Sequence, residues 1–63
     1  MTDQYVLLTN QQTYFVEYLI GQLVLSQSIS DAMIFDNYNT AEKFKQMLFT
    51  NCKLVCSVNT YIN

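Results

Sequence analysis

The chain lacks most of the side chains on which enzyme mechanisms depend. Its 63 residues include no His, Arg, Trp or Pro and only one Gly. Without His there is no ordinary general base at neutral pH, and a single Gly cannot build a glycine-rich phosphate loop. Two Cys without any His are too few ligands for a zinc site. We therefore expect no enzymatic activity, no bound metal and no cofactor.

Charge is also scarce. Three Lys stand against five Asp and Glu, and charged residues make up 13% of the chain, about half the share of an ordinary domain. Direct nucleic-acid binding needs a basic surface that displaces counterions, which three Lys cannot supply. Strong mimicry of a nucleic acid would need a denser array of carboxylates. The composition therefore predicts a protein partner and no direct contact with nucleic acid.

Neither a membrane span nor a secretory signal is expected. The longest apolar stretch, residues 14–25, is interrupted by Glu17 and is too short to cross a bilayer, and the first residues lack a basic region followed by an apolar run. On one strand, Cys52 and Cys56 would lie about 13 Å apart, beyond the reach of a disulfide. We interpret Cys56 as a buried apolar residue and Cys52 as a turn residue. Reduced thiols predict a cytoplasmic location.

Hydrophobic periodicity predicts one α+β domain over residues 1–63. Alternating patterns indicate strands at residues 5–9, 13–20, 22–26 and 53–62, and Gly21 marks a bulge, a bend or a turn. Residues 31–35 fit a helical turn, a short strand, or one leading into the other. Apolar spacings of three and four indicate a helix over residues 40–49, with Asn39 as its N-cap and Asn51 as its left-handed C-terminal cap. The order β-β-β-α-β predicts an antiparallel sheet of three to four strands with the helix on one face.

The strand at residues 13–20 is apolar on both faces. If Glu17 faced the helix, its burial would cost several kcal/mol unless it were paired. Strict alternation then turns Tyr14, Val16, Tyr18 and Ile20 toward the helix and leaves Phe15 and Leu19 outward beside Glu17. A core position for Phe15, together with Phe35 and Phe44, is the alternative.

One helix covers only one face of a small sheet. The other face is therefore covered by curling of the sheet or by a protein partner. A mildly acidic edge around Asp31, Asp36 and Glu42 would lie beside it. The predicted interface residues are Phe15, Glu17, Leu19, Asp31 and Asp36.

Residues 31–44, DAMIFDNYNTAEKF, resemble a pattern found in very small phage and prophage proteins of Gram-positive bacteria. In that pattern a D-A-x-x-F turn precedes a short A-x-x-F helix, and here Ala32, Phe35, Ala41 and Phe44 occupy the apolar positions. Members with a known activity are mostly inhibitors of host proteins, anti-CRISPR proteins among them. The resemblance implies an inhibitor in the host cytoplasm that occludes a host protein such as a CRISPR nuclease. The alternative is a structural or assembly module that acts through homodimerisation.

Overall fold

The structure, a computed structural model, describes residues 3–62. It confirms the predicted α+β fold, with one helix after three strands and before the fourth. The sheet is antiparallel with strand order β3-β2-β1-β4. No helix in this part of the chain has the length and apolarity needed to cross a bilayer. The elements are β1 (Gln4–Thr9), β2 (Tyr14–Leu19), β3 (Gln22–Ser26), a 3-10 turn (Ile29–Asp31), α1 (Tyr38–Cys52) and β4 (Cys56–Tyr61).

Helix α1 extends beyond its predicted range at both ends. Asn37, not Asn39, is the N-cap, because its side-chain oxygen accepts hydrogen bonds from the backbone N–H groups of Asn39 (2.7 Å) and Thr40 (3.4 Å). The left-handed residue that ends the helix is Lys53, at φ 57°, and not Asn51. Cys52 is the last helical residue rather than a turn residue. A good capping side chain two residues upstream was available, and the longer helix gains an extra turn of backbone hydrogen bonds.

The core lies between α1 and one face of the sheet. Phe44 on the helix packs against two buried rings, with centroid distances of 6.1 Å to Phe15 and 5.1 Å to Phe35. The apolar spacing predicts a stripe on the helix, and it is confirmed, because all four residues belong to the core or pack against it: Ala41, Phe44, Met47 and Leu48. Alternation in the last strand likewise predicts one shared face for Leu54, Cys56 and Val58, and all three belong to the core or pack against it.

The sheet is nearly split between β1 and β2. These two strands share one registered pair, Leu8 with Tyr14, and then diverge. The segment after the 3-10 turn fills the gap: the N–H of Met33 donates to the carbonyl of Phe15 (3.0 Å), while Phe35 exchanges two 2.8 Å backbone bonds with Tyr5. The ambiguous residues 31–35 are therefore a turn that leads into a short extended segment, which bridges both halves of the sheet.

A β-bulge in β2 overturns the predicted orientation of Phe15. The register with β3 shifts between Phe15 and Glu17, so Val16 is the extra residue. Because a bulge adds one residue to the alternation, Phe15 points into the core while Glu17 points out. Phe15 is completely buried, and its prediction as an outward interface residue is wrong. The alternative, a core position for Phe15, is confirmed.

Candidate interaction surface

The turn between β2 and β3 carries a fully exposed isoleucine in a left-handed conformation. Leu19 pairs with Gln22, so the loop has two residues, Ile20 at φ 47° and Gly21 at φ 76°. Positive φ at both positions is the type I′ turn that suits a hairpin, and Asn-Gly is its usual sequence. Gly21 meets this requirement. It is a turn residue, which is one of the three roles predicted for it. Ile20 does not, since a β-branched residue is rarely left-handed.

A small apolar patch surrounds this turn. The side chain of Ile20 is 101% exposed and that of Leu19 is 63% exposed. Val24 is opposite Glu17 in the β2–β3 register, and both are exposed. Glu17 and Leu19 are two residues apart on one strand, so they share the face directed away from α1. We call Glu17, Leu19, Ile20 and Val24 the hairpin patch.

The rest of the face away from α1 is partly closed. Val6 lies on that face, because its neighbour Leu7 belongs to the core beneath the helix, yet Val6 is only 1% exposed. The Tyr5–Phe35 bridge directs Ile34 to the same face as Val6. Val6 is therefore covered within the chain, whereas Ile34 is 37% exposed; among the strand residues of this face, Leu19 in the hairpin patch is the most exposed apolar one.

Two of the three carboxylates predicted for the acidic edge, Asp31 and Asp36, are attached to different strands. Asp31 accepts a 2.8 Å hydrogen bond from the hydroxyl of Ser26, at the end of β3. Asp36 accepts a 2.9 Å hydrogen bond from the side-chain amide of Gln4, at the start of β1. Because β2 lies between β3 and β1, each carboxylate has its own local structural role. Of the predicted interface residues, the hairpin patch brings together Glu17 and Leu19 but neither Asp31 nor Asp36.

The titratable side chains of residues 3–62 include a buried thiol and a phenol hydrogen-bonded to a carboxylate. Residues 3–62 contain no group of three or more His, Cys, Asp or Glu side chains close enough to hold a metal ion. Cys56 is buried, as predicted, and burial raises the pKa of its thiol, against a smaller lowering effect of Lys45. The thiol therefore stays protonated and is a poor nucleophile. The carboxylate of Glu42, which accepts a 3.2 Å hydrogen bond from the Tyr38 hydroxyl, raises the pKa of that phenol.

A second apolar surface lies at the β4 edge of the sheet, opposite the edge with the hairpin patch, where α1 ends next to β4. A groove of about 390 Å³ runs between the last turns of the helix and the start of β4. Phe49 and Val55 are its exposed apolar residues, and Lys45 is the one charged residue that lines it. The remaining lining residues are Gln46, Thr50, Leu54 and Cys56. Apolar periodicity does not reveal this groove, because Phe49 lies off the predicted apolar stripe and Val55 lies on the outer face of the predicted strand.

Comparison with protein-family models, with curated proteins and with solved structures gives no match to this chain. Its function is therefore inferred from the two surfaces described above.

Proposed function

We propose that this chain is a non-catalytic interaction protein that binds and inhibits a host protein by occlusion, with the hairpin patch as its contact surface. The observation that carries the proposal is the left-handed conformation of the fully exposed Ile20. A left-handed conformation costs an L-residue about 1–2 kcal/mol, and a fully exposed side chain recovers none of this by packing in its own fold. Asn at this position would give a more stable turn. An isoleucine here is accounted for by a contact outside the chain.

The chemistry of the patch indicates what it would bind. Leu19 and Ile20 protrude from a two-residue turn, which suits insertion into an apolar pocket of a partner. Glu17 is the only charged side chain of the patch, and it would sit at the rim of that pocket, where a Lys or Arg of the partner would pair with it. Protruding apolar anchors surrounded by polar rims supply most of the binding energy at protein interfaces.

The inhibitory role rests on the resemblance of residues 31–44 to small phage proteins. A host-cell protein such as a CRISPR nuclease is the target that this resemblance favours, and the cytoplasm is the compartment in which such a target is met. A domain with a protruding turn can block a nuclease by filling a groove that a substrate or a moving domain would occupy. The low charge of the chain favours apolar insertion over mimicry of nucleic acid as the means of occlusion.

The test uses Ile20→Asn, a change that separates stability from binding. We expect this variant to melt at a higher temperature than the parent, because Asn tolerates positive φ, and to lose binding to the host protein that the parent captures from bacterial lysate. The captured protein is then purified, and its activity is measured with and without the chain. Phe49→Ser, in the groove at the β4 edge of the sheet, is the matched control and should retain binding and inhibition.

Two results would contradict the proposal. One is an Ile20→Asn variant that is more stable and still captures and inhibits the same protein. The other is a captured protein whose activity is unchanged by saturating amounts of the parent chain, which would leave binding without inhibition.

A further inference from the structure

The outer edge of β4 has free backbone groups at alternate residues. Tyr5 and Thr9 direct their backbone groups toward the β2 side, where they bond to Phe35 and Thr13. The even-numbered residues of β1 therefore direct their backbone groups toward β4. Asn10 follows the same alternation, because its N–H donates to the carbonyl of Val55 at 3.1 Å.

The β1–β4 register then assigns every residue of β4 to one side. Odd-numbered residues of β4 bond to β1, because Val6 is opposite Asn59 and Leu8 is opposite Ser57. The even-numbered residues direct their N–H and C=O groups outward, and within residues 3–62 these groups have no hydrogen-bond partner. They belong to Cys56, Val58 and Thr60.

Cys56 is buried at the start of this edge, but from Val58 onward the edge has none of the usual protection against pairing. Soluble proteins block exposed strand edges with charged side chains, prolines, bulges or covering loops. The strand reads CSVNTY, with no charge and no proline, and its six pairs with β1 run without a register shift. It is therefore an uncharged strand without a bulge, whose outer side can accept another strand.

The two ends of the strand complement each other. At its start, Val55 and Phe49 line the apolar groove. Just after its end, Ile62 is 80% exposed. An antiparallel copy of the same strand would bring the end of one strand to the start of the other, and so would place an exposed isoleucine at each groove.

We propose that two copies of this chain pair antiparallel through the outer edges of β4, forming a two-fold dimer with one continuous sheet. Only even-numbered residues can exchange hydrogen bonds across the new edge, so the registers centred on the strand put Val58 opposite the partner's Val58, or Asn59 opposite the partner's Asn59. The first register puts Leu54 opposite the partner's Ile62, and the second puts Cys56 there. Both cover the groove.

A second copy fits this edge better than an unrelated strand for two reasons. The apolar groove lies at one end of β4 and the exposed isoleucine at the other, so a two-fold axis satisfies both copies at once. The absence of charge on β4 also means that self-pairing places no like charges opposite each other. The hairpin patches lie at the other edge of each sheet and stay exposed, so the dimer does not depend on the proposed inhibitory role.

The direct test is the native mass together with amide exchange. We expect the parent to reach twice its 7.4 kDa chain mass in light scattering as its concentration is raised a hundredfold. Over the same range, the amides of Val58 and Thr60 should exchange more slowly with solvent. The amides of Ser57, Asn59 and Tyr61, already bonded to β1, should keep their rates.

Two variants of the exposed Thr60 isolate the edge. Thr60→Pro removes an outward N–H without removing a bond to β1, and it should halve the native mass while the circular dichroism spectrum stays that of the parent. Thr60→Val keeps the N–H and should remain dimeric. Should Thr60→Pro lose its fold, Thr60→Lys replaces it, because a charge at the edge opposes pairing.

A parent that is monomeric at every concentration would overturn the proposal, as would a folded Thr60→Pro or Thr60→Lys that keeps the dimer mass. An exchange rate that does not alternate along β4 would do the same. Ile20→Asn should leave the native mass unchanged, so failure of the dimer and failure of the hairpin patch are told apart.

Discussion

Truncating Phe15 should unfold the domain, although the other residues of its strand are half-buried or exposed. The ring is completely buried and packs against Phe44 at 6.1 Å, and its carbonyl accepts the Met33 bond that holds the two halves of the sheet together. Replacing a buried Phe by Ala costs about 3–5 kcal/mol. A chain of this length has a free energy of unfolding of about 3–9 kcal/mol, and small domains often lie near the bottom of that range.

Phe15→Ala should therefore lower the melting temperature by at least about 12 °C, or leave no cooperative transition. Thermal melts followed by far-ultraviolet circular dichroism measure this. Leu19→Ala is the matched control on the same strand, because a side chain that is 63% exposed loses little by truncation, and its melting temperature should change by a few degrees. If Phe15→Ala melts close to the parent, or if Leu19→Ala is the more damaging change, then the bulge at Val16 and the assignment of faces are wrong.

Two further predictions concern the helix cap and the buried thiol. Asn37→Ala should cost about 1 kcal/mol of stability through loss of the N-cap, measured by urea denaturation, whereas Asn39→Ala should be close to neutral; equal effects would contradict the cap assignment. The raised pKa of Cys56 keeps the thiol protonated in the folded chain at a pH where the unfolded chain ionises. Its contribution to stability is therefore complete below the unfolded pKa of about 8.5 and is lost as the pH rises through the folded value. The urea midpoint of the parent should accordingly fall more steeply above pH 8.5 than that of Cys56→Ala, and parallel curves would refute this.

The fold class can be predicted from the sequence because its hydrophobic periodicities are clear. Alternation identifies four strands, and spacings of three and four identify the helix with Phe44 and Leu48 on its inner side. What periodicity cannot show is where alternation is interrupted. The bulge in β2 offsets the residues before Val16 from those after it, so an alternation anchored on Glu17 predicts the wrong face for Phe15. Ile20, predicted on the inner face, lies instead in the two-residue turn and is fully exposed.

A signal for the bulge is nevertheless present in the sequence. Phe15 and Glu17 are two residues apart, so strict alternation puts a large aromatic ring and the only charge of the strand on the same face. Burial favours the first and solvation the second. One extra residue between them satisfies both, and that conflict indicates a bulge before any coordinates are known.

The interaction surfaces were harder to foresee for a related reason. The strand pattern alone predicts Leu19 and Glu17 as interface residues. Ile20 stands out only because of its positive φ, which no residue pattern reveals. The groove beside β4 depends on where the helix ends, and the predicted end at residue 49 was three residues short. Asp31 and Asp36 are close in sequence, yet local hydrogen bonds attach them to separate strands.

The pairing of β1 with β4 determines the order in which the domain can be completed during synthesis. Gln4 pairs with Tyr61. β1 is synthesised before the other three strands, and it can pair with β4 only after they and α1 have been synthesised. Until β4 has been synthesised, β1 has one side without a partner and the core beneath α1 lacks Cys56 and Val58. Contacts between residues so distant in sequence slow folding, and a nascent chain with an open strand edge is prone to misassembly. A folding reporter attached after β4 should therefore register structure in a single late step, with no stable intermediate built from the first three strands and the helix.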